Sequence, residues 1–421
     1  MYALIDCNNF YVSCERVFQP HLQDKAGVVL SNNDGCAIAR SQEAKDLGIK
    51  MGHPYFQLKD THPHVWVRSS NYALYQDMMY RVTSIIRNYF PDQEIYSIDE
   101  CFCDLRGFTV IDPLSLAAEL RSEILNCTGI PVCIGVARTK TLAKIANRIA
   151  KKKYKDVGVF VLQSQEQEAK ALEATEIGDV WGIGGRHAAR LRAMGIDNAG
   201  KFARLPPDWV LKNMTIVGLR MWRELNGESC IPMEYVRKAK KGIGTSRSFG
   251  KPESRLAVLL EALATYVSLA SAKLRSQNSV CGRVYVYART SDFVGEAERF
   301  ACGFEVRLIT PTANTGELIK VAGWILKKTF RDGYRYQKVG VLLSDIRPDT
   351  EVQQSLFDRS VKRRVRMASA FRAMDSINAR NGRDTVRVAA SGNEGKWTMK
   401  QDFRSKRYTT KLSEIITVKA I

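Results

Sequence analysis

The chain has 421 residues, 45% hydrophobic and 26% charged, a balance that suits several folded domains and excludes a disordered chain. Its 64 Lys and Arg against 44 Asp and Glu give +20, which points to a polyanionic partner; nucleic acid is favoured over membrane because no apolar run of about 18 residues stands out. The opening Met1-Tyr2-Ala3-Leu4-Ile5-Asp6 is not signal-peptide-like, and ten scattered cysteines without a Cys-x-x-Cys argue for reduced thiols and against zinc chemistry.

Tyr2 to Ile5 reads as a buried strand that delivers Asp6 to its C-terminal edge, followed by Asn8-Asn9-Phe10-Tyr11 and a helix beginning at Ser13-Cys14-Glu15. Asp6 could cap that helix or act as a metal-binding carboxylate. Val28-Val29-Leu30 is a short strand ending in the turn signal Ser31-Asn32-Asn33-Asp34-Gly35. Ala37 to Leu47 is predicted as a helix carrying Arg40 in its first turn, where a guanidinium can be a solvated charge or hold a phosphate bidentately. Leu74, Met78, Val82 and Ile85 mark one apolar face of a helix from Leu74 to Tyr89, which is core and not chemistry.

Next come two β-prone runs, Ile95 to Ile98 and Cys101 to Leu105, flanking adjacent carboxylates Asp99 and Glu100. Inside a flat strand neighbouring side chains diverge, but at a hairpin tip both can turn to one point. Such a pair taken alone is ordinary turn chemistry. With Asp6 brought alongside by sheet pairing, three carboxylates would suit hard divalent cations and a two-metal site. After a helix from Leu114 to Leu125, the strand Val132 to Val136 leads into a basic helix with Lys140, Lys144 and Lys151, near one end and flank of the same sheet. A charge run is usually a solvated face; beside three carboxylates, a triphosphate carrying Mg²⁺ accounts for both signs of charge.

Asp179-Val180-Trp181-Gly182-Ile183-Gly184-Gly185, followed by a helix from Arg186 to Met194, has the form of a helix–hairpin–helix, whose glycines let backbone N–H groups approach a DNA phosphate. Arg237 to Lys241 is a polar, basic linker. A strand-and-helix domain follows, with a helix from Leu256 to Ser276 and a strand from Arg283 to Tyr287, and no catalytic constellation. Gln353-Gln354-Ser355-Leu356-Phe357 places Leu-Phe in a hydrophilic stretch with no local core to join, which suggests a peptide docking on a partner. The remainder, Asp358 to Ile421, holds 16 Lys and Arg against 6 Asp and Glu and reads as helical early and loosely ordered later, a tail for DNA binding or protein docking.

Five stretches in order, Ala3 to Asn8 with Phe10-Tyr11, Leu30 to Cys36, Tyr96 to Glu100, Gly135 to Lys151 and Ser246-Arg247-Ser248-Phe249-Gly250, resemble the Y-family translesion DNA polymerases, and within them the UmuC-type catalytic subunits of DNA polymerase V. The resemblance covers about the first 350 residues. It implies an α+β multidomain right hand: a palm over residues 1–165 with small fingers inserted at about 20–75, a helix–hairpin–helix thumb at 166–236, a linker at 237–241, an α/β little finger at 242–347 and a basic tail at 348–421.

The same resemblance implies roles. Asp6, Asp99 and Glu100, with the Cys7 carbonyl, would hold two Mg²⁺ ions, for which Mn²⁺ can substitute. Tyr11 would be the steric gate against a ribose 2′-OH. Arg40 and Lys151 would hold the triphosphate. Gly182, Gly184, Gly185, Arg186 and Arg247 would contact DNA, and Gln353, Ser355, Leu356 and Phe357 would bind the bacterial sliding clamp. Primer–template DNA and dNTP, a UmuD′-type accessory dimer and a recombinase filament are the implied partners, without a membrane, in the cytoplasm at the nucleoid. The implied activity is error-prone translesion synthesis within an SOS-type DNA damage response. One departure stands out: many members carry a Tyr three residues before the fingers Arg, where this chain has Ala37. A nucleotidyl cyclase on a similar palm needs neither the helix–hairpin–helix nor the docking peptide, and a catalytically silent DNA-binding scaffold has no use for the intact carboxylates.

Overall fold

The computed structural model describes residues 1–107, 112–236, 238–352, 361–382, 384–392 and 399–418, with the side chains of 361–365 excluded. The docking peptide 353–357 and linker residue 237 therefore lie outside the described residues. The chain divides into two compact units, one formed by residues 1–31, 35–237 and 403–421, the other by 32–34 and 238–402.

The first unit contains β1 (Tyr2–Cys7), β2 (Gly27–Leu30), β3 (Ala37–Arg40), β4 (Trp66–Ser69), β5 (Gln93–Ile95), β6 (Glu100–Asp104), β7 (Val132–Ala137) and β8 (Val159–Val161). They form a five-stranded sheet in the order β5-β6-β1-β7-β8 and a three-stranded sheet in the order β3-β2-β4. β1 runs antiparallel to both neighbours and is buried on both faces. Side chains alternate along a strand, so Ala3, Ile5 and Cys7 enter a core with the helices Phe10–Phe18, Tyr72–Tyr89 and Pro113–Thr128. Leu4 and Phe102 enter a second core with the helix Lys140–Lys153 and the helices that follow it.

The helix Lys140–Lys153 begins at Thr139, whose hydroxyl accepts from the Leu142 N–H. It lies so close to β7 that a Cβ on Gly135 would come within 2.1 Å of the Asn147 backbone nitrogen. Asn147 itself donates to the Leu4 and Cys133 carbonyls at 3.2 and 2.7 Å, pinning the helix across two strands. Lys144 and Lys151 lie three residues before and four after Asn147 and so share its face.

The second unit contains β9 (Ile243–Glu253), β10 (Ser279–Thr290), β11 (Ala301–Thr312) and β12 (Tyr336–Pro348), antiparallel in the order β11-β10-β12-β9. The helices Leu256–Ser276 and Thr315–Thr329 share its core. The first is long and apolar enough to cross a membrane by length and composition, contrary to the expectation that the chain has no such run. Leu259, Ala262, Leu263, Tyr266, Val267, Ala270 and Leu274 are instead buried among the sheet residues Val284, Val286, Val339 and Val341. All ten cysteines are free.

Several local expectations need correction. The first helix starts at Phe10, not Ser13, so Tyr11 lies in its first turn; Asn9, not Asp6, is its N-cap. Residues 37–40 are a strand paired with β2 rather than a helix, because Val28, Leu30 and Ala37 join a small core beside it. The helix starts at Gln42, after Ser41 accepts from the Ala44 N–H. The later part of the tail is not loose where it is described at residues 403–408, which pack within the first unit. Earlier, the helix Val361–Asn381 packs in the second unit through Asp375, which takes two hydrogen bonds from Arg275 at 2.6 and 2.8 Å.

Candidate active site

The pairing of β1 with β6 sets Asp6 directly opposite Glu100, and the Cys7 N–H donates to the Asp99 carbonyl at 2.9 Å. Asp99 sits in the turn between β5 and β6. That turn is closed by the Tyr96 and Ser97 amides, which both donate to the Glu100 carbonyl. Ser97 organises it further. Its hydroxyl accepts from the Asp99 and Glu100 N–H groups at 3.1 and 3.0 Å and donates to the Asp99 carboxylate. The register thus brings all three predicted carboxylates to one end of the sheet, where β1 finishes and β6 begins.

Two lysines of the helix Lys140–Lys153 answer them. Lys144 Nζ lies 2.8 Å from Glu100, and Lys151 Nζ lies 2.5 Å from Asp6. Lys144 also sits over the Tyr96 ring at 4.6 Å and the Trp181 ring at 5.4 Å, and the Trp181 indole N–H donates to the Tyr96 hydroxyl. The third lysine departs from the expectation. Lys140 is buried and ion-paired with Glu94, and it also donates to the Pro232 carbonyl at 2.8 Å. One helical turn moves it from the site into the core.

Burial pushes the Asp6 carboxyl up to about 6; Lys151 opposes the rise, while Glu100 and Asp99 add to it. Among the described residues, no three His, Cys, Asp or Glu side chains are already gathered into a metal cage, each of these carboxylates being turned to its own partner. Three carboxylates nevertheless face two lysines, and among the described residues Asp99 has the Ser97 hydroxyl as its one hydrogen-bonding side-chain partner. A part-buried group of hard oxygen donors fits Mg²⁺ or Mn²⁺.

Arg40 ends β3 and donates to the Ile49 carbonyl at 2.7 Å, while its Nε is buried with no acceptor among the described residues. Burial lowers the Lys45 amine, and the nearby Arg40 and Lys151 charges push it the same way. Arg40, Lys45 and Lys151 thus form a cationic cluster beside the carboxylates. Lys45 carries no motif and stands between Glu43 and Asp46 in the short helix Gln42–Asp46, so nothing local singles it out. Lys45 Nζ is held at 2.6 Å by Asn9 Oδ1, next to Tyr11.

Tyr11 is half-buried, its ring stacked on Tyr75 at 4.5 Å and 14° and edge-on to Tyr72 at 5.9 Å. Burial pushes its phenol up to about 12, with smaller contributions from Tyr72 and Asp99. Away from this end of the sheet, Gly184 caps the helix Gly185–Ala193. Gly182 has φ +87°, which only glycine adopts readily. Gly182, Gly184, Gly185 and Arg186 are exposed, whereas Arg190 is turned to Asn213 and Trp209. In the second unit Arg247 lies on β9, opposite Val339, with its guanidinium 3.5 Å from Met399 Sδ.

Comparison with known proteins places this geometry. Residues 5–148 match the impB/mucB/samB family, residues 240–356 the C-terminal domain of that family, and residues 370–418 a domain of unknown function. The chain is 40% identical to protein UmuC of Salmonella typhimurium over the whole of both chains. It is 39% identical to protein ImpB of Salmonella typhimurium, covering 99% of each, and 34% identical to protein MucB of Escherichia coli, covering 97% of each. Among solved structures it resembles a Y-family DNA polymerase chimera of Dbh and Dpo4, with a TM-score of 0.67 at 21% identity over 82% of this chain and 99% of that one. An insertion ternary complex of Dbh DNA polymerase gives 0.53 at 22% identity, with the same coverage.

Proposed function

The chain belongs to the impB/mucB/samB family and is a Y-family DNA polymerase, and from that premise we propose that it performs error-prone synthesis across damaged template in an SOS-type response. The reaction is attack of a primer 3′-OH on the α-phosphate of a dNTP, selected by the template, with pyrophosphate leaving. The observation that carries this reading is the β1–β6 register, which sets Asp6 against Glu100 and Cys7 against Asp99 within reach of two lysines.

Asp6, Asp99, Glu100 and the Cys7 carbonyl would hold two Mg²⁺ ions, or Mn²⁺ in their place, which supply charge neutralisation at the transferring phosphate and activation of the primer oxygen. The chain's own groups do the rest by positioning. Arg40, whose Nε lacks an acceptor, and Lys151 bind phosphate oxygens, with Lys45 beside them in the role for which Ala37 offers no tyrosine hydroxyl. Lys151 pairs with Asp6, and the same amine would reach the phosphate oxygens of a bound triphosphate. Tyr11 presents its ring to the sugar, where a 2′-OH would collide. Gly182, Gly184, Gly185 and Arg186 grip the DNA backbone from the thumb, and Arg247 does so from the little finger. Gln353, Ser355, Leu356 and Phe357 bind the sliding clamp, and a UmuD′-type dimer and a recombinase filament complete the working assembly.

The test is primer extension over an abasic site with Mg²⁺, four dNTPs, clamp, accessory dimer and recombinase, comparing wild type with Asp99→Asn plus Glu100→Gln. Extension by wild type alone is expected. Equal extension by both would remove the carboxylates from the mechanism, and none by either would overturn the polymerase assignment.

A further inference from the structure

Glu15 lies one helical turn after Tyr11 and is fully buried, an unusual place for a carboxylate with no mechanistic duty. Its Oε1 accepts from the Tyr75 hydroxyl at 2.8 Å and from the Ser405 hydroxyl at 3.0 Å, and its Oε2 accepts from the Gln19 amide at 3.0 Å. Burial raises its pKa, while the bonds from Tyr75 and Ser405, the Arg68 charge and the bond from Gln19 pull the other way. The ring of Tyr75, whose hydroxyl is fixed here, is the one stacked on Tyr11.

Ser405 comes from almost the far end of the chain, and it is firmly seated. The Phe403 N–H donates to Ser69 Oγ at 3.0 Å, and the Ser69 N–H donates to the Phe403 carbonyl at 3.2 Å. Arg404 pairs in parallel with Ser69 at the free side of β4. Asn71, itself buried, donates to Ser405 Oγ at 3.0 Å and to the Lys406 carbonyl at 3.1 Å. Tyr408 stacks on Phe18 at 4.7 Å and 7°.

We propose that residues 403–408 are a positioning element for the sugar gate, with Ser405 acting through Glu15 and Tyr75 to fix the Tyr11 ring and so set how strictly ribonucleotides are refused. The inference rests on the reading of Tyr11 as the gate. A ring that excludes one hydroxyl must be held within about half an ångström. Stacking alone leaves a ring free to slide, since offset geometries of similar energy adjoin one another. Anchoring the partner ring through its hydroxyl to a carboxylate that is itself held by two other elements removes that freedom. The tail then joins the second turn of the gate helix, through Glu15, to the edge of the three-stranded sheet, and sugar selectivity depends on residues far from the gate in the chain.

The experiment measures kcat/KM for a dNTP and the matching rNTP with full-length protein in the working assembly, for Ser405→Ala, Asn71→Ala, Tyr75→Phe and Tyr11→Ala. Melting temperatures are recorded to verify folding. Loss of one hydrogen bond to a buried carboxylate is expected to lower the dNTP/rNTP preference about tenfold in Tyr75→Phe and about threefold to tenfold in Ser405→Ala, with dNTP insertion within about twofold of wild type. Asn71→Ala should follow Ser405→Ala. If Tyr11→Ala abolishes the preference while Ser405→Ala and Tyr75→Phe keep it, the tail is merely an anchor and the inference falls with the gate intact. If Tyr11→Ala itself leaves the preference unchanged, the gate reading falls and the inference with it. A loss of dNTP and rNTP insertion in equal proportion in the tail variants also overturns it, because the ratio would not move.

Discussion

The two larger sheets of this protein are built for different tasks. The five-stranded sheet is buried on both faces around β1, and at one end of β1 and β6 Asp6, Asp99 and Glu100 meet Lys144 and Lys151. The four-stranded sheet packs its helices on one face, while its other residues include the exposed Leu342 and Ile309, the latter 94% exposed. A strand clamped from both sides holds a carboxylate where a reaction needs it. A sheet with an uncovered face offers area instead, and area is what gripping an extended polymer requires. Reacting groups tolerate little displacement, whereas a grip spread over many contacts tolerates a good deal.

That contrast can be tested from its largest consequence down. Asp99→Asn plus Glu100→Gln should reduce nucleotide insertion by at least about 10³-fold in single-turnover assays without loss of fold, because rate depends on the charges at that end of the sheet and not on packing. A two-sided sheet should also be intolerant of added volume. Gly135→Ala drives a Cβ into the Asn147 backbone and should cost about 2–4 kcal/mol in denaturant unfolding. Gly244→Ala on β9, where the nearest atom is 3.6 Å away, should stay within about 1 kcal/mol of wild type. Equal costs at the two glycines would erase the distinction between the sheets.

The charged end of the sheet should also carry a stability penalty. Burial pushes the folded-state Asp6 carboxyl up to about 6, above the ordinary aspartate range. The folded state therefore favours its protonated form, and stability is lost as pH rises from about 4 through 6. Asp6→Asn should raise the melting temperature of the metal-free protein at pH 8 and give a gain that shrinks towards pH 4, while insertion is lost. A destabilised Asp6→Asn at pH 8 would mean that the Lys151 pair outweighs desolvation. Smallest of all, Ile309→Ser on the open sheet should leave unfolding free energy within about 0.5 kcal/mol of wild type. A weaker DNA affinity in the same variant, read by fluorescence anisotropy, would assign that face to the grip.

Much of the site was readable residue by residue. An apolar run ending in Asp6 and a strand leading into a lysine-bearing helix are local patterns, and they became β1, β7 and the helix Lys140–Lys153; of the two β-prone runs beside the carboxylates, Cys101 to Leu105 falls mainly in β6, whereas Ile95 to Ile98 is mostly the turn after β5 and Glu100 itself opens β6. The misreadings have a common origin. Arg40 sits in a segment with helix-compatible residues, but pairing with β2 made it a strand, since tertiary partners override weak propensity. Lys140 and Lys144 look equivalent in a basic run; one turn of helix sends the first to Glu94 in the core and the second to Glu100 at the site. The apolar helix Leu256–Ser276 gives no sign in its own sequence of whether a sheet or a lipid covers it.

The sequence by itself determined where each carboxylate stands along the chain, that a strand carries Asp6 and a lysine-bearing helix follows a second strand, and which family the chain resembles, because these depend on neighbours a few residues apart. Only the tertiary structure decided that Asp6 faces Glu100, that Asn147 pins the lysine helix across two strands, that Lys45 joins Arg40 and Lys151, and that Ser405 reaches Glu15 from 390 residues away. Register, desolvation and hydrogen-bond satisfaction depend on what is brought alongside. A local pattern records what a residue can do, and long-range packing selects which of those things it does.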